Sequence, residues 1–200
     1  FGSKFKTFEW QTCFGLTEPD HGSDIAGGLA TTAERRGDKW IINGEKRWIG
    51  GAKTADYIPI FARDVETKEI KCFMVKGGSE GLEVEDIKHK ISLRIVNNGH
   101  ITLNDVEVPE TDRLENINGY GDVAKIFVHT RTDVAHIAMG TAAGAFNAAL
   151  ALTTTREQFG RPVASYQLVQ DKLSTMQANV VAAIGYSVRV AELQEAGEEQ

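Results

Sequence analysis

Cysteine is scarce in this chain. Cys13 and Cys72 are the only two among 200 residues, too few for a framework of bridges. Both sit in apolar, strand-like surroundings and are expected to be buried structural thiols in a reducing compartment. Positive charge is also short: 22 Lys and Arg against 28 Asp and Glu leave a formal net charge of -6. A general nucleic-acid binder needs a basic face to neutralise phosphates, so that class is set aside. A small anionic ligand is not, because a few placed arginines bind one in an acidic protein. No apolar run approaches the roughly 20 residues that cross a bilayer, and no charged-then-apolar leader opens the chain. Repeats and low-complexity tracts are missing. The five histidines show no metal-ligand spacing. His129 and His136, seven apart, read as a surface stripe on one helix, and the run Glu192–Glu199 as a solvated helix face. What remains is an ordinary globular composition, 42% hydrophobic and 25% charged. Phe1 opens the chain and Gln200 closes it inside a polar helical stretch; both ends read as cut, so a fragment of a longer protein is expected.

The chain changes character near residue 117. Before it, turn signals separate short runs of β-formers. Lys39–Ile42, then Asn43-Gly44, then Glu45–Ile49 has the pattern of a hairpin with a type I′ turn, and Gly37-Asp38 marks another turn. Further strands are expected at Cys13–Thr17, Leu29–Arg35, Tyr57–Arg63, Ile70–Val75 and His100–Leu103. After it, apolar residues recur at helical spacing from Gly119 to Thr155 and again from Ser165 to about Ala196, with Gly160 and Pro162 breaking the pattern between. The expected fold class is α+β: an antiparallel β-barrel or sandwich over 1–117, then, over 118–200, the first part of an antiparallel helical bundle.

The most informative stretch is CFGLTEPDHGSD, residues 13–24. A β-like run ends in Thr17-Glu18-Pro19, and a glycine-containing loop with small polar residues follows. Such loops wrap phosphates or cofactor edges, although composition alone favours a plain surface turn. The loop has neither the G-x-x-x-x-G-K-[ST] nor the G-x-G-x-x-G spacing. Asp20, His21, Ser23 and Asp24 are neighbours in one loop and cannot converge as a Ser–His–Asp relay does from separate elements.

Taken together, CFGLTEPDHGSD (13–24), INGEKRWIGGAKTAD (42–56), VEVPETDRL (106–114) and REQFGRPVASYQLVQDKLSTM (156–176) resemble, in order and separation, the acyl-CoA dehydrogenase and oxidase family. Glutaryl-CoA dehydrogenase and the plant short-chain acyl-CoA oxidase are the members most similar in appearance. The resemblance implies FAD as cofactor and an acyl-CoA thioester as substrate, desaturated between its α and β carbons with hydride transfer to flavin N5. It implies that Leu16 and Thr17 contact the isoalloxazine ring with Phe14 close by, that Gly22 and Ser23 face the FAD phosphates, and that Trp48 packs beside the ring. Gly50 stands where many dehydrogenases carry threonine; the short-chain oxidase pattern has glycine there too. Arg156, Gln158 and Phe159 match a segment that reaches the FAD of a neighbouring subunit, so a homo-oligomer, dimer or tetramer, is implied, with Gln167 in a lesser role. On the substrate side it implies Phe127 at the acyl pocket, Arg131 near the CoA nucleotide and Ser23 toward the pantetheine; Arg94 and Asn98 lie in a loop where related enzymes approach the CoA, and neither is assigned a role.

The α-proton of a thioester is very weakly acidic, so its removal requires a positioned carboxylate. In most of the family this glutamate lies beyond the position matching residue 200. Some members place it on the helix holding Phe127 and Arg131, where this chain has Thr130. Glu18 reads as structural. No catalytic residue is therefore assigned, the base being expected beyond residue 200. Three readings stay open: a dehydrogenase passing electrons to an electron-transfer flavoprotein, an oxidase passing them to oxygen, and a non-catalytic fragment binding flavin or CoA. The compartment implied is cytoplasmic, or mitochondrial or peroxisomal in a eukaryote.

Overall fold

A computed structural model describes residues 1–198, His129 by its backbone alone. Glu199, the end of the acidic run, and the His129 side chain lie outside the described residues. In chain order the elements are α1 (Gly2–Lys6), α2 (Ile25–Gly28), β1 (Thr32–Arg36), β2 (Lys39–Gly50), β3 (Tyr57–Asp64), β4 (Ile70–Lys76), β5 (Leu82–Asp86), β6 (Asn98–Pro109), α3 (Tyr120–Thr155), β7 (Glu157–Gln158), β8 (Arg161–Pro162) and α4 (Gln167–Glu195). Two compact units divide the chain, Phe1–Val123 and the residues from Ala124 onward.

The first unit is built on one six-stranded sheet, ordered β4-β3-β1-β2-β6-β5. It is α+β as expected but open, not a closed barrel, with β4 and β5 at its edges. Neighbouring strands are antiparallel except β1 and β3, which run parallel over Thr32↔Arg63 and Ala33↔Asp64. Hairpin spacing in the sequence could not show that β3 returns beside β1. The Gly37-Asp38 turn does join β1 to β2: Arg36 pairs with Lys39, and Gly37 takes φ +66°, the type II′ arrangement with glycine at the first central position.

The Asn43-Gly44 turn expected from the sequence does not form. β2 runs unbroken for 12 residues, with a register shift against β6 between Ile42 and Gly44. Gly44 has φ +144°, and a β-carbon there would stand 2.7 Å from the Thr31 Cα. Close approach of two backbones, not chain reversal, is what requires glycine. Asn43 lies against β6 instead, donating to Asp105 Oδ1 at 2.9 Å and accepting the Asp105 N–H at 2.8 Å. Cys13–Thr17 is extended but is no strand: it touches β3 through single bridges, Thr12↔Tyr57 and Gly15↔Ile60. β5 was missed by the sequence reading; in its LEVED pattern, Leu82 and Val84 pack on the core from an otherwise exposed edge.

The core lies against this sheet. Ala33, Ile42, Ile58, Ile60, Ala62, Phe73, Ile101 and Val106 have no exposed surface, each large side chain contributing about 1.5–3 kcal/mol of burial. Cys72 is buried and Cys13 only half-buried, and both are free thiols. Burial pushes them up to about 12 and about 11 respectively, so neither is a reactive thiolate near neutral pH.

In the second unit α3 and α4 form an antiparallel pair joined by the short β7–β8 hairpin; Gln194 near the end of α4 donates to Thr132 Oγ1 at 3.4 Å. Contrary to the sequence expectation, α3 is long and apolar enough to cross a membrane, with mean hydropathy 1.3 in its most apolar window. That apolarity comes from alanines such as Ala142, Ala143 and Ala145 together with Val134, Ile137, Phe146 and Leu150, and the small residues among them suit close helix packing.

Candidate functional site

The extended segment 12–18 is pinned along its length. Gly15 donates to the Pro59 carbonyl at 3.0 Å and accepts from the Phe61 N–H at 3.2 Å. A β-carbon on Gly15 would stand 2.7 Å from Ile60 Cδ1 and 2.8 Å from the Pro59 oxygen, so the glycine is needed for this approach. The Thr17 carbonyl accepts the Arg47 N–H at 2.8 Å, which places Thr17 beside β2 one residue from Trp48. Among the described residues, neither the N–H nor the hydroxyl of Thr17 takes part in a hydrogen bond. Leu16 is buried under this wall, while Phe14 is exposed with its ring 5.1 Å from that of Phe61.

Trp48 is 51% exposed and has φ +65°, a left-handed conformation costing a bulky residue roughly 1–2 kcal/mol. It sits at the second register shift of β2, between Lys46 and Ile49. The Asn98 amide donates to its carbonyl at 2.9 Å, and the Arg47 guanidinium lies 5.4 Å from the indole centroid. Strain of this kind persists only where the surroundings over-determine it, often at a ligand site. Gly50, two residues on, is exposed, and a β-carbon there would meet nothing nearer than Val96 Cγ1 at 3.5 Å; packing does not demand glycine.

Beneath the wall lies a group the sequence reading missed. Lys46 is 0% exposed, and its ammonium donates to Glu18 Oε1 at 2.8 Å and to the Leu16 carbonyl at 3.2 Å. The Glu18 carboxylate also accepts the N–H groups of Ala30 and Thr31 at 2.6 and 2.9 Å, giving physical content to its structural reading. Burial works to raise the Glu18 carboxyl, but Lys46 and these donors outweigh it and hold the group below its ordinary value. For Lys46 burial dominates over the pull of Glu18 and lowers the ammonium to about 8. A lysine in the polar-looking EKRW run reads as a surface residue, and nothing in its local spacing reveals the acid it meets 28 residues away.

Gly22 and Ser23 lie exposed on the loop after Glu18, ahead of α2. This loop is anchored by the Glu18 N–H to the His21 carbonyl at 3.1 Å. The Arg63 guanidinium holds α2 from its C-terminal side, donating to the Leu29, Ala26 and Gly27 carbonyls at 3.2, 3.0 and 3.4 Å, a cation where the helix dipole favours one. Thr17 and Trp48 are thus brought together, while Ser23 is carried on a separate loop ahead of α2. A cavity of about 550 Å³ lined by Trp10, Ala52, Tyr57, Lys76 and Val84 among others contains none of the predicted site residues.

In the helical unit, Arg156 follows the last turn of α3, its N–H donating to the Leu152 carbonyl at 2.8 Å. Phe159 and Gly160 form the two-residue tip of the β7–β8 hairpin with φ +54° and +76°, the paired left-handed residues of a type I′ turn. Phe159 is 95% exposed. The Tyr166 hydroxyl donates to the Gln158 carbonyl at 2.8 Å, and Arg161 stacks 4.1 Å from the Tyr166 centroid, so the hairpin is braced with Arg156, Gln158 and Phe159 outward. On α3 the Arg131 guanidinium lies 5.7 Å from the Phe127 ring, confirming a shared face. His136 directs Nδ1 at the Thr132 carbonyl, 2.8 Å away.

These features were compared with known proteins. Residues 13–106 match the family described as acyl-CoA dehydrogenase, middle domain, and residues 118–200 match acyl-CoA dehydrogenase, C-terminal domain. Benzylmalonyl-CoA dehydrogenase of Aromatoleum aromaticum is 34% identical over 170 residues, covering 84% of this chain and 45% of its own. The crystal structure of glutaryl-CoA dehydrogenase from Mycobacterium smegmatis superposes with a TM-score of 0.92 at 34% identity, over 98% of this chain and 50% of that one. A glutaryl-CoA dehydrogenase structure from the same organism, in complex with FADH2, gives 0.91 at 30% identity, over 97% and 50%. The chain spans about half the length of the curated relatives it matches.

Proposed function

Because the chain belongs to the acyl-CoA dehydrogenase family, we propose that it forms the flavin-binding portion of an oxidoreductase that desaturates an acyl-CoA thioester. The observation that carries this reading is the pairing of unused donors on Thr17 with the half-exposed, left-handed Trp48 on one anchored wall. That donor set fits FAD: an N–H and a hydroxyl aimed at a ring edge stabilise the negative charge of reduction. When bound, FAD supplies the acceptor for the two electrons and the β-hydrogen of the substrate.

The residues of this chain do the positioning. Thr17 orients the ring edge, with Leu16 and Phe14 as its apolar support. Trp48 covers the ring and excludes water. Gly22 and Ser23 offer backbone and hydroxyl donors to the phosphates, Ser23 also toward the pantetheine. Phe127 lines the acyl pocket and Arg131 binds the CoA nucleotide through charge-assisted hydrogen bonds. Arg156, Gln158 and Phe159, presented on the braced hairpin, reach the FAD of a second copy, which makes the working form a homo-oligomer. The carboxylate that takes the α-proton lies outside residues 1–200, since Thr130 cannot serve. The compartment is the bacterial cytoplasm or a eukaryotic organelle.

The test is anaerobic mixing of the flavin-loaded full-length protein, including the segment that supplies the base, with short acyl-CoA thioesters, followed by air. Bleaching of the yellow flavin colour with slow reoxidation supports a dehydrogenase feeding a flavoprotein carrier. Gly50, where a side chain would fit, matches the glycine of the short-chain oxidase pattern and favours a second reading, in which reoxidation is rapid and forms peroxide. A protein that binds FAD but is not bleached by any acyl-CoA contradicts both and leaves a non-catalytic module.

A further inference from the structure

Lys46 is among the largest fully buried side chains of the sheet unit, and it is a charged one. A buried ion pair is a poor device for stability: desolvation costs several kcal/mol per ion, and a well-packed apolar pair does as well or better. Its placement suggests another use. The Leu16 carbonyl, which accepts from the Lys46 ammonium, and the Thr17 N–H are the two ends of one planar peptide group. An ammonium that fixes the carbonyl therefore fixes the direction of the N–H, and hydrogen bonds in series polarise one another in a low-dielectric interior. The following carbonyl, that of Thr17, is held by the Arg47 N–H. Consecutive residues of β2, Lys46 and Arg47, thus clamp the peptides on both sides of Thr17, immediately before Trp48. Glu18 keeps the ammonium in place and is itself fixed by the Ala30 and Thr31 N–H groups.

We propose that Lys46, held by Glu18, is a positioning residue that aims and strengthens the Thr17 N–H toward the flavin and so favours the reduced cofactor. This rests on the flavin-binding reading above. The buried charge acts through one peptide bond: its positive end is relayed to the outward N–H without touching the cofactor, where an exposed lysine would be screened by solvent.

The experiment compares the flavin-loaded wild type with the Glu18→Gln/Lys46→Met double variant, which replaces the pair with neutral groups of similar size. Three readouts are taken: FAD content, melting temperature and the two-electron midpoint potential from equilibrium dye titration. The double variant is expected to stay folded and yellow while losing about tenfold in preference for reduced over oxidised flavin, a fall of about 30 mV. Lys46→Met alone, in which Glu18 can take up a proton, is the second variant should the double one not accumulate, with the same fall expected. A merely structural role lowers the melting temperature or FAD affinity and leaves the potential where it was; an unchanged midpoint in a folded, yellow variant overturns the inference alone. A wild type that takes up no FAD contradicts the flavin reading, and this inference with it.

Discussion

In the sheet unit Ile42, Ile60, Phe73 and Ile101 have no exposed surface, whereas on α3 and α4 Ile137 and Leu168 stand 69% and 81% exposed. Both units carry comparable apolar patterning in the sequence, yet only the sheet closes over its own. Val180 and Ser187 are the buried residues of α4, so the helix pair offers apolar faces to whatever covers them, as the proposed oligomer would. The same contrast holds for polar groups. The sheet unit spends an enclosed ion pair on holding Thr17, while the helical unit displays Arg156 and Phe159 outward on a hairpin. One unit fixes its candidate residues on internal anchors; the other displays its own on an exposed hairpin.

That contrast breaks most readily in its packing. Phe73→Ala is expected to cost about 3–5 kcal/mol of unfolding free energy, read by urea denaturation of the dissociated single chain, and Leu168→Ala within about 0.5 kcal/mol there. Equal losses would show that the helical apolar face is covered after all. Next in size, Glu18→Gln is expected to cost about 3 kcal/mol at neutral pH by leaving Lys46 without its counter-charge. The Glu18 carboxyl is lowered in the folded state, so its stabilisation is present above the ordinary value of 4.5 and is lost as pH falls through the folded value. The gap in melting temperature between wild type and Glu18→Gln should therefore close in acid. Lys46 is lowered to about 8 from 10.5; the unfolded chain binds the extra proton between those values, so its contribution should raise stability as pH rises through that window. Gly15→Ala is expected to cost about 1–3 kcal/mol and to weaken FAD binding, because the Pro59 carbonyl cannot yield as a flexible side-chain tip could. Smallest is Trp48→Asn, which suits a left-handed position and should change stability by less than about 1 kcal/mol while FAD dissociates faster.

Much of the architecture was legible in the sequence, and the failures share a cause. Tyr57–Asp64, Ile70–Lys76 and the two long helices announce themselves because local pattern and burial agree in those segments. Asn43-Gly44 misled because the glycine answers to Thr31, a neighbour across the sheet that local spacing does not reveal. β5 was hidden by its own edge position, with Glu83, Glu85 and Asp86 masking a two-residue apolar face. Of the site, the Thr17 and Trp48 segments came from resemblance to a family, while their adjacency required the Arg47–Thr17 hydrogen bond to be seen. Lys46 was not legible at all, since a buried lysine is specified by the acid it meets 28 residues away and not by its neighbours in sequence.

The most direct test of the account is a structure of the protein with FAD bound. The account predicts the tricyclic ring against the Trp48 indole, with a ring acceptor within about 3 Å of the Thr17 N–H. A ring bound elsewhere, with Thr17 and Trp48 left facing solvent, would contradict it.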